Sequence, residues 1–417
     1  MTATRNLPSK RWTSFDDWDH SGLKERLEAA LEKINKTALI DHAQRIKGQK
    51  ITMSEPFSAG QYWMCLEMVA EDGSLVIARV RLPRHPNATI ILSEDDQLLA
   101  IESEVNAMTF VKARFPEIAI PEIYAYEKSG SELATLAGAS YMLIEGFYGN
   151  NLQDVEFNIC VLPEDVQQHI MAQWASIQAT LASITFPQIG SISGFQENGE
   201  PILGKLVTSQ AAGELLNAGP FATSAEYFTA LANATAARLE GDGRTGAHVF
   251  ADIVRKTTLF QDHVPGKFPL SHMDMGTQNI LVDDDFNFVA VIDWEFAQTA
   301  PWQVNHFPMP MTITSMNIDG ILKDPEHLAF DNVRQQQASR VLYMTAFDAA
   351  EKKLVEQKTP LDNSFSAVLN SPASTIYACF THLGRMPEYD ADLIEAMVRL
   401  AYGLEGSAAQ EYIASHT

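Results

Sequence analysis

The segment Ser271–Ala297, SHMDMGTQNILVDDDFNFVAVIDWEFA, constrains this chain more than any other stretch. It contains His-x-Asp-x-x-x-x-Asn, with Asp274 and Asn279 at its ends. An apolar run, a polar turn over Asp284–Asn287, a second apolar run and then Ile292-Asp293-Trp294-Glu295 follow. Two apolar runs around such a turn read as a hairpin, and a hairpin returns residues distant in sequence to one neighbourhood. The amide oxygen of Asn279 and the carboxylate of Asp293 are hard ligands of the kind Mg²⁺ takes. A separate carboxylate, Asp274, can accept or orient a hydroxyl proton. Those parts together suit phosphoryl transfer. Taken alone, each has a local alternative: Asp274 as an Asx-turn residue, Asp293 as the N-cap of a helix opening at Trp294-Glu295-Phe296. Neither alternative explains the joint spacing.

The rest of the chain reads as an α+β protein with a β-rich first lobe and a helical second lobe. Residues 14–47 read as helix, with Ser14 and Asp17 as a capping box and Leu23, Leu27, Leu31 and Ile34 as an apolar stripe. KITMSEPFSAG, QYWMCLEMVA and SLVIARVRL read as three strands, the last two joined across Glu71-Asp72-Gly73. A helix over about 94–113, opened by Ser93, is followed by the strands PEIYAYE and ASYMLIEGF. Gly146 and Gly149 mark the end of this lobe as a flexible boundary. Beyond it, 163–184, 223–260, 324–357 and 391–413 read as helices around a single β hairpin. The division is 1–49 as an N-terminal helical extension, 50–146 as the nucleotide-binding lobe and 147–417 as the helical lobe carrying the catalytic loop and metal hairpin.

The 271–297 segment resembles the catalytic loop and metal motif of the aminoglycoside phosphotransferase family, the choline-kinase-like small-molecule kinases, whose pattern runs HGD-x-x-x-x-NILVD, hairpin, IDWE. FPQIGSI is similar to a phrase of fungal-type members. The resemblance spans roughly residues 50–310 and implies a protein-kinase-like fold, ATP as donor and Mg²⁺ as cofactor. It makes Asp274 the catalytic base and Asn279 and Asp293 the metal ligands. His272 matches a histidine that holds the loop. Ser58 and Gly60, in FSAGQYW, fall at the nucleotide-covering loop. Arg79, in VIAR, falls where kinases place a phosphate-pairing lysine, with Glu104 as its partner, and Glu145 to Phe147 fall at the adenine-reading hinge. The chain departs from protein kinases in two places. Gly60 is the one glycine of its loop, and Arg79 replaces lysine, whose point charge a planar guanidinium does not reproduce. Arg81 lies on the same strand face as Arg79 and competes for its role. Glu295 and His306 are further residues near the implied site. The tryptophans (Trp12, Trp18, Trp63, Trp174, Trp294 and Trp302) read as core, except for the Trp302–Pro310 stretch, which directly follows the metal motif and falls where the resemblance places the acceptor site.

Composition limits the partners. Thirty Lys and Arg against 53 Asp and Glu give a formal charge of −23. Such a field repels nucleic acid and anionic membrane surfaces; it would favour a cationic acceptor, or it serves only to keep the protein in solution. No run approaches the ~18 apolar residues a membrane span needs, and MTATRNLPSKRW has no apolar run of the secretory kind. Three scattered cysteines (Cys65, Cys160, Cys379) with no CxxC argue against a disulfide framework. A reducing, cytoplasmic setting is the expectation. The function expected is transfer of the γ-phosphoryl group of ATP to a hydroxyl of a small amine, aminosugar or secondary metabolite. The alternatives are a nucleotide-binding pseudokinase or regulatory module, and a kinase-fold enzyme that uses phosphorylation to drive condensation or elimination.

Overall fold

A computed structural model describes residues 7–10, 23–60, 62–83, 93–206, 216–312 and 318–416. Ser14, Asp17, Trp12 and Trp18 lie outside the described residues. The chain divides into two compact units. The first comprises Met1–Leu98, Met108–Val155 and Asn279–Ile292; the second comprises Leu99–Ala107, Glu156–Gln278 and Asp293–Thr417.

The first unit is built on a five-stranded antiparallel sheet. Its strands are β1 (Ile51–Ala59), β2 (Trp63–Ala70), β3 (Leu75–Arg81), β4 (Ile123–Glu127) and β5 (Tyr141–Gly146), in the order β1-β2-β3-β5-β4. The Asp-Gly signal holds: β2 and β3 join across residues 71–74, with Gly73 at φ 80. Alternation then sorts the side chains. Met64, Leu66, Met68, Val76, Ala78 and Val80 face a core completed by Leu27, Leu39 and Ala43 of the two N-terminal helices. The opposite pleat carries Trp63, Cys65 and Glu67 across from Arg81, Arg79 and Ile77. The expected single helix over 14–47 is, where described, two: Leu23–Leu31 and Lys36–Lys47. Asn35 makes the break, its side chain accepting the Ala38 N–H as an N-cap. Ser93 caps the helix Glu94–Arg114 in the same way, through the Asp96 N–H. Gly146 and Gly149 are close-packing positions: a Cβ at Gly146 would lie 2.6 Å from the Leu75 Cβ, and one at Gly149 would lie 2.6 Å from the Val289 Cγ2.

The second unit is mainly helical. Helices Ser224–Arg238, Gly241–Lys256, Pro372–His382 and Asp390–Tyr402 enclose an aromatic core in which Phe250 stacks on Phe380 at 4.0 Å and Phe228 meets Phe260 edge-on at 4.8 Å. Two expected helices are each broken in two. Gly241 at φ 53 restarts the first after Leu239, and Gly403 at φ 67 ends the second at Tyr402. The single expected β segment is also too few. Phe268–Ser271 pairs with both Thr185–Phe186 and Gln298–Thr299, and Ser191–Phe195 pairs with Pro201–Gly204. Runs of two to five residues carry too little alternation to read as strands. No helix among the described residues is long and apolar enough to cross a membrane.

The C-terminal helix Gly406–Ala414 is latched by one carboxylate. Asp252, 2% exposed, accepts the Tyr412 hydroxyl at 2.5 Å and the Lys256 ammonium at 2.9 Å, and also pairs with Arg255. Burial alone would raise its pKa, but the Tyr412, Lys256 and Arg255 donors outweigh that and push it down to about 2. A depressed carboxylate stabilises the fold above its unfolded pKa of about 3.9 and loses that contribution as pH falls. Asp252→Asn should therefore cost about 2 kcal/mol at neutral pH. The gap to wild type in urea-unfolding midpoints should close between about pH 4 and about pH 2.

Candidate active site

Two short pairings set the motif residues. In the first unit, Ile280–Val282 pairs with Phe288–Val291, and the Ile292 N–H donates to the Asn279 carbonyl at 2.9 Å. Asn279 is 5% exposed and closes the 3-10 turn Thr277–Asn279; Asp293 is the next residue after Ile292. In the second unit, Ser271 pairs with Gln298 and Leu270 with Thr299. Asp274 follows the Ser271 end of that pair and Asp293 precedes the Gln298 end, so both half-buried carboxylates lie beyond the same end of one strand pair.

The loop backbone is strained where it matters. Met273 and Asp293 have φ 65 and φ 63, and they are two of four described non-glycine residues in the left-handed region. Such a conformation costs roughly 1–2 kcal/mol for a residue with a Cβ. Met273 occupies the position that is glycine in HGD, and its side chain packs against the aromatic core of the second unit. No helix follows Asp293. The chain turns, with the Ala297 N–H on the Trp294 carbonyl at 2.9 Å, and enters the Gln298 strand, which removes the N-cap alternative. Glu295 lies half-buried in that turn.

His272 is 2% exposed and meets Trp294 edge-on at 4.6 Å, which ties the segment before Asp274 to the residue after Asp293. Its position is that of a packing residue. His306 sits farther along, with Nδ1–H donating to the Val304 carbonyl at 2.9 Å and its ring 5.9 Å from Tyr377. Burial, and then the nearby His382 and Arg385, push its pKa down.

The remaining expected residues fall in both units. On β3, Arg79 is 8% exposed and stacks on Trp63 at 4.9 Å; Arg81, half-buried, lies 5.0 Å from the same ring and 4.7 Å from Tyr62. The two arginines share a face, as alternation requires. Glu67, 1% exposed on that face, went unremarked in the sequence; its signal is a carboxylate inside the apolar run WMCLEMVA. Ser58 pairs opposite Cys65, and the Gly60 N–H is committed to the Trp63 carbonyl at 2.9 Å. The Glu145 N–H bonds the Glu122 carbonyl at 2.8 Å, and its carboxylate accepts the Glu122 N–H at 3.1 Å with Lys112 at 3.7 Å. Phe147 is half-buried beyond the end of β5. In the second unit, Glu104 is 1% exposed.

The sequence also gave no hint of Gln278, whose side-chain amide donates to Asp274 Oδ1 at 3.2 Å. A glutamine directly before Asn279 has no recognisable spacing with Asp274 unless the loop's turn is known.

If His272 packs rather than transfers protons, His272→Ala should lower unfolding free energy by about 2 kcal/mol through lost contact with Trp294. Urea unfolding measures this. The pH–rate profile of the same variant should keep its shape.

Among curated proteins no match reaches significance. Structural likeness extends to a macrolide 2'-phosphotransferase type I (13% identity, TM-score 0.45, 89% of this chain and 99% of that one). It extends to the ADP-bound aminoglycoside phosphotransferase APH(2'')-Ib (10% identity, TM-score 0.43, 88% and 99%). An ethanolamine kinase from Plasmodium vivax also aligns (9% identity, TM-score 0.39, 98% and 96%). The model of the phosphotransferase enzyme family (APH) matches residues 89–304, more than half of the chain and the whole of the motif segment. The chain belongs to the phosphotransferase enzyme family.

Proposed function

We propose that this phosphotransferase moves the γ-phosphoryl group of ATP onto a hydroxyl of a small amine, aminosugar or secondary metabolite, with Asp274 as base. The observation that carries the reading is the pair of half-buried carboxylates, Asp274 and Asp293, beyond one end of the Ser271–Gln298 pairing. Both follow or occupy strained, left-handed positions, as reacting groups held by surrounding structure commonly do.

Asn279 and Asp293 fit Mg²⁺ by donor chemistry, one amide oxygen and one carboxylate. Among the described residues no group of three or more His, Cys, Asp or Glu could hold a metal by itself. Phosphate oxygens and water would complete the shell. When bound, the ion neutralises triphosphate charge and orients the γ-phosphoryl group. Asp274 takes or orients the acceptor's hydroxyl proton. Arg79, with Glu104, steadies the phosphates; its greater burial favours it over Arg81. The Ser58–Gly60 segment covers the phosphates, and the Glu145–Phe147 backbone reads adenine, the Glu145 N–H itself being bonded to the Glu122 carbonyl. The −23 charge supports a cationic acceptor.

A thermal-shift titration with ATP, GTP and ADP, each with and without Mg²⁺, tests the donor. A Mg²⁺-dependent rise with ATP that Asp293→Ala removes is expected, since a ligand of the native state raises the melting temperature by mass action. No shift with any nucleotide in folded protein would overturn the reading. Asp274→Ala should lower turnover by at least about 100-fold and leave the ATP-induced shift intact. Arg79→Ala should weaken ATP binding more than Arg81→Ala, measured by the same titration; the reverse order would reassign the role.

A further inference from the structure

Asp274 is not the only residue whose placement fixes the base. Its Oδ1 accepts the Gln278 side-chain amide at 3.2 Å, and the loop between them is tight: the Gly276 N–H donates to the Asp274 carbonyl at 2.9 Å. The Gln278 amide folds back directly over Gly276. A Cβ at Gly276 would lie 2.2 Å from Gln278 Oε1 and 2.7 Å from Nε2. Gly276 is not at positive φ, so its need is for space and not for backbone freedom.

We propose that Gln278 is a positioning residue that clamps one carboxylate oxygen of Asp274, and that Gly276 is glycine because any side chain there would evict the clamp. This rests on Asp274 being the base. The chemistry is specific. A carboxylate can rotate and present either oxygen, and a neutral donor on Oδ1 restrains that rotation and fixes the direction in which the carboxylate faces. A neutral amide restrains the carboxylate without giving it a counter-charge, which a lysine or arginine here would supply. The clash at Gly276 involves the far end of a flexible side chain. It is therefore cheap to relieve in stability, and the relief consists of moving the amide off Asp274.

The test uses the full chain with Mg²⁺ and ATP, reading phosphate release with water as acceptor. Gln278→Ala should lower kcat about tenfold with the KM for ATP changed less than twofold, because orientation and not binding is lost. Gly276→Ala should reproduce that kcat loss with a melting temperature near wild type. In the Gln278→Ala background Gly276→Ala should do nothing more, since no amide remains to displace. Gln278→Glu sets a second carboxylate against the first and should move the acid limb of the pH–rate profile to higher pH, which a packing role would not do. Unchanged kcat in Gln278→Ala, or an equal Gly276→Ala loss in both backgrounds, overturns the clamp while Asp274→Asn inactivity leaves the base assignment standing. Full turnover in Asp274→Asn overturns both.

Discussion

The placement of the motif residues depends on two short antiparallel pairings. Ile280–Val282 with Phe288–Val291 returns the chain from Asn279 to the residue before Asp293. Leu270–Ser271 with Gln298–Thr299 then brings the approach to Asp274 alongside the departure from Asp293. Neither pairing is long enough to persist alone. The first also pairs with Asn150–Asn151, and the second is held by Trp294, fully buried against His272, and by the helices that enclose Phe268 and Ala300. Position here is a product of packing, with hydrogen bonds selecting the register.

The sheet of the first unit shows a division of labour imposed by the pleat. One face is a methionine, leucine and valine surface against the N-terminal helices. The other keeps a buried glutamate, Glu67, and two arginines that lie over Trp63. An indole face attracts guanidinium while shedding little of its own burial. Both guanidinium groups lie within 5.0 Å of that ring.

The sequence made long elements legible and short ones obscure. Strands β1 to β5 stood out as apolar runs, two of them set off by Asp72-Gly73, and the helix Glu94–Arg114 by its serine cap and acidic first turn. Helix breaks at Asn35, Gly241 and Gly403 were passed over because apolar periodicity continues across them, while capping is a matter of one side chain or one φ. In the motif, Asp274, Asn279 and Asp293 stand out in the sequence because metal and proton chemistry restrict residue type, and the roles proposed for them rest on that. Gln278 does not, since a neutral amide is ordinary at any exposed turn and acquires meaning only from where the backbone folds it. The Gly60 and Glu145 amides had bonding obligations within the sheet that spacing does not reveal.

Met273 has a consequence for the order of assembly. A methionine at φ 65 does not rest there by local preference, and the second unit's aromatic core holds it. A nascent chain would sample that loop shape only after the helices bearing Phe250, Phe380 and Tyr377 have docked. The loop that carries Met273 and Asp274 is then among the latest parts of the molecule to become native and, on warming, among the earliest to relax. Activity in such a protein fades ahead of the cooperative collapse of its fold.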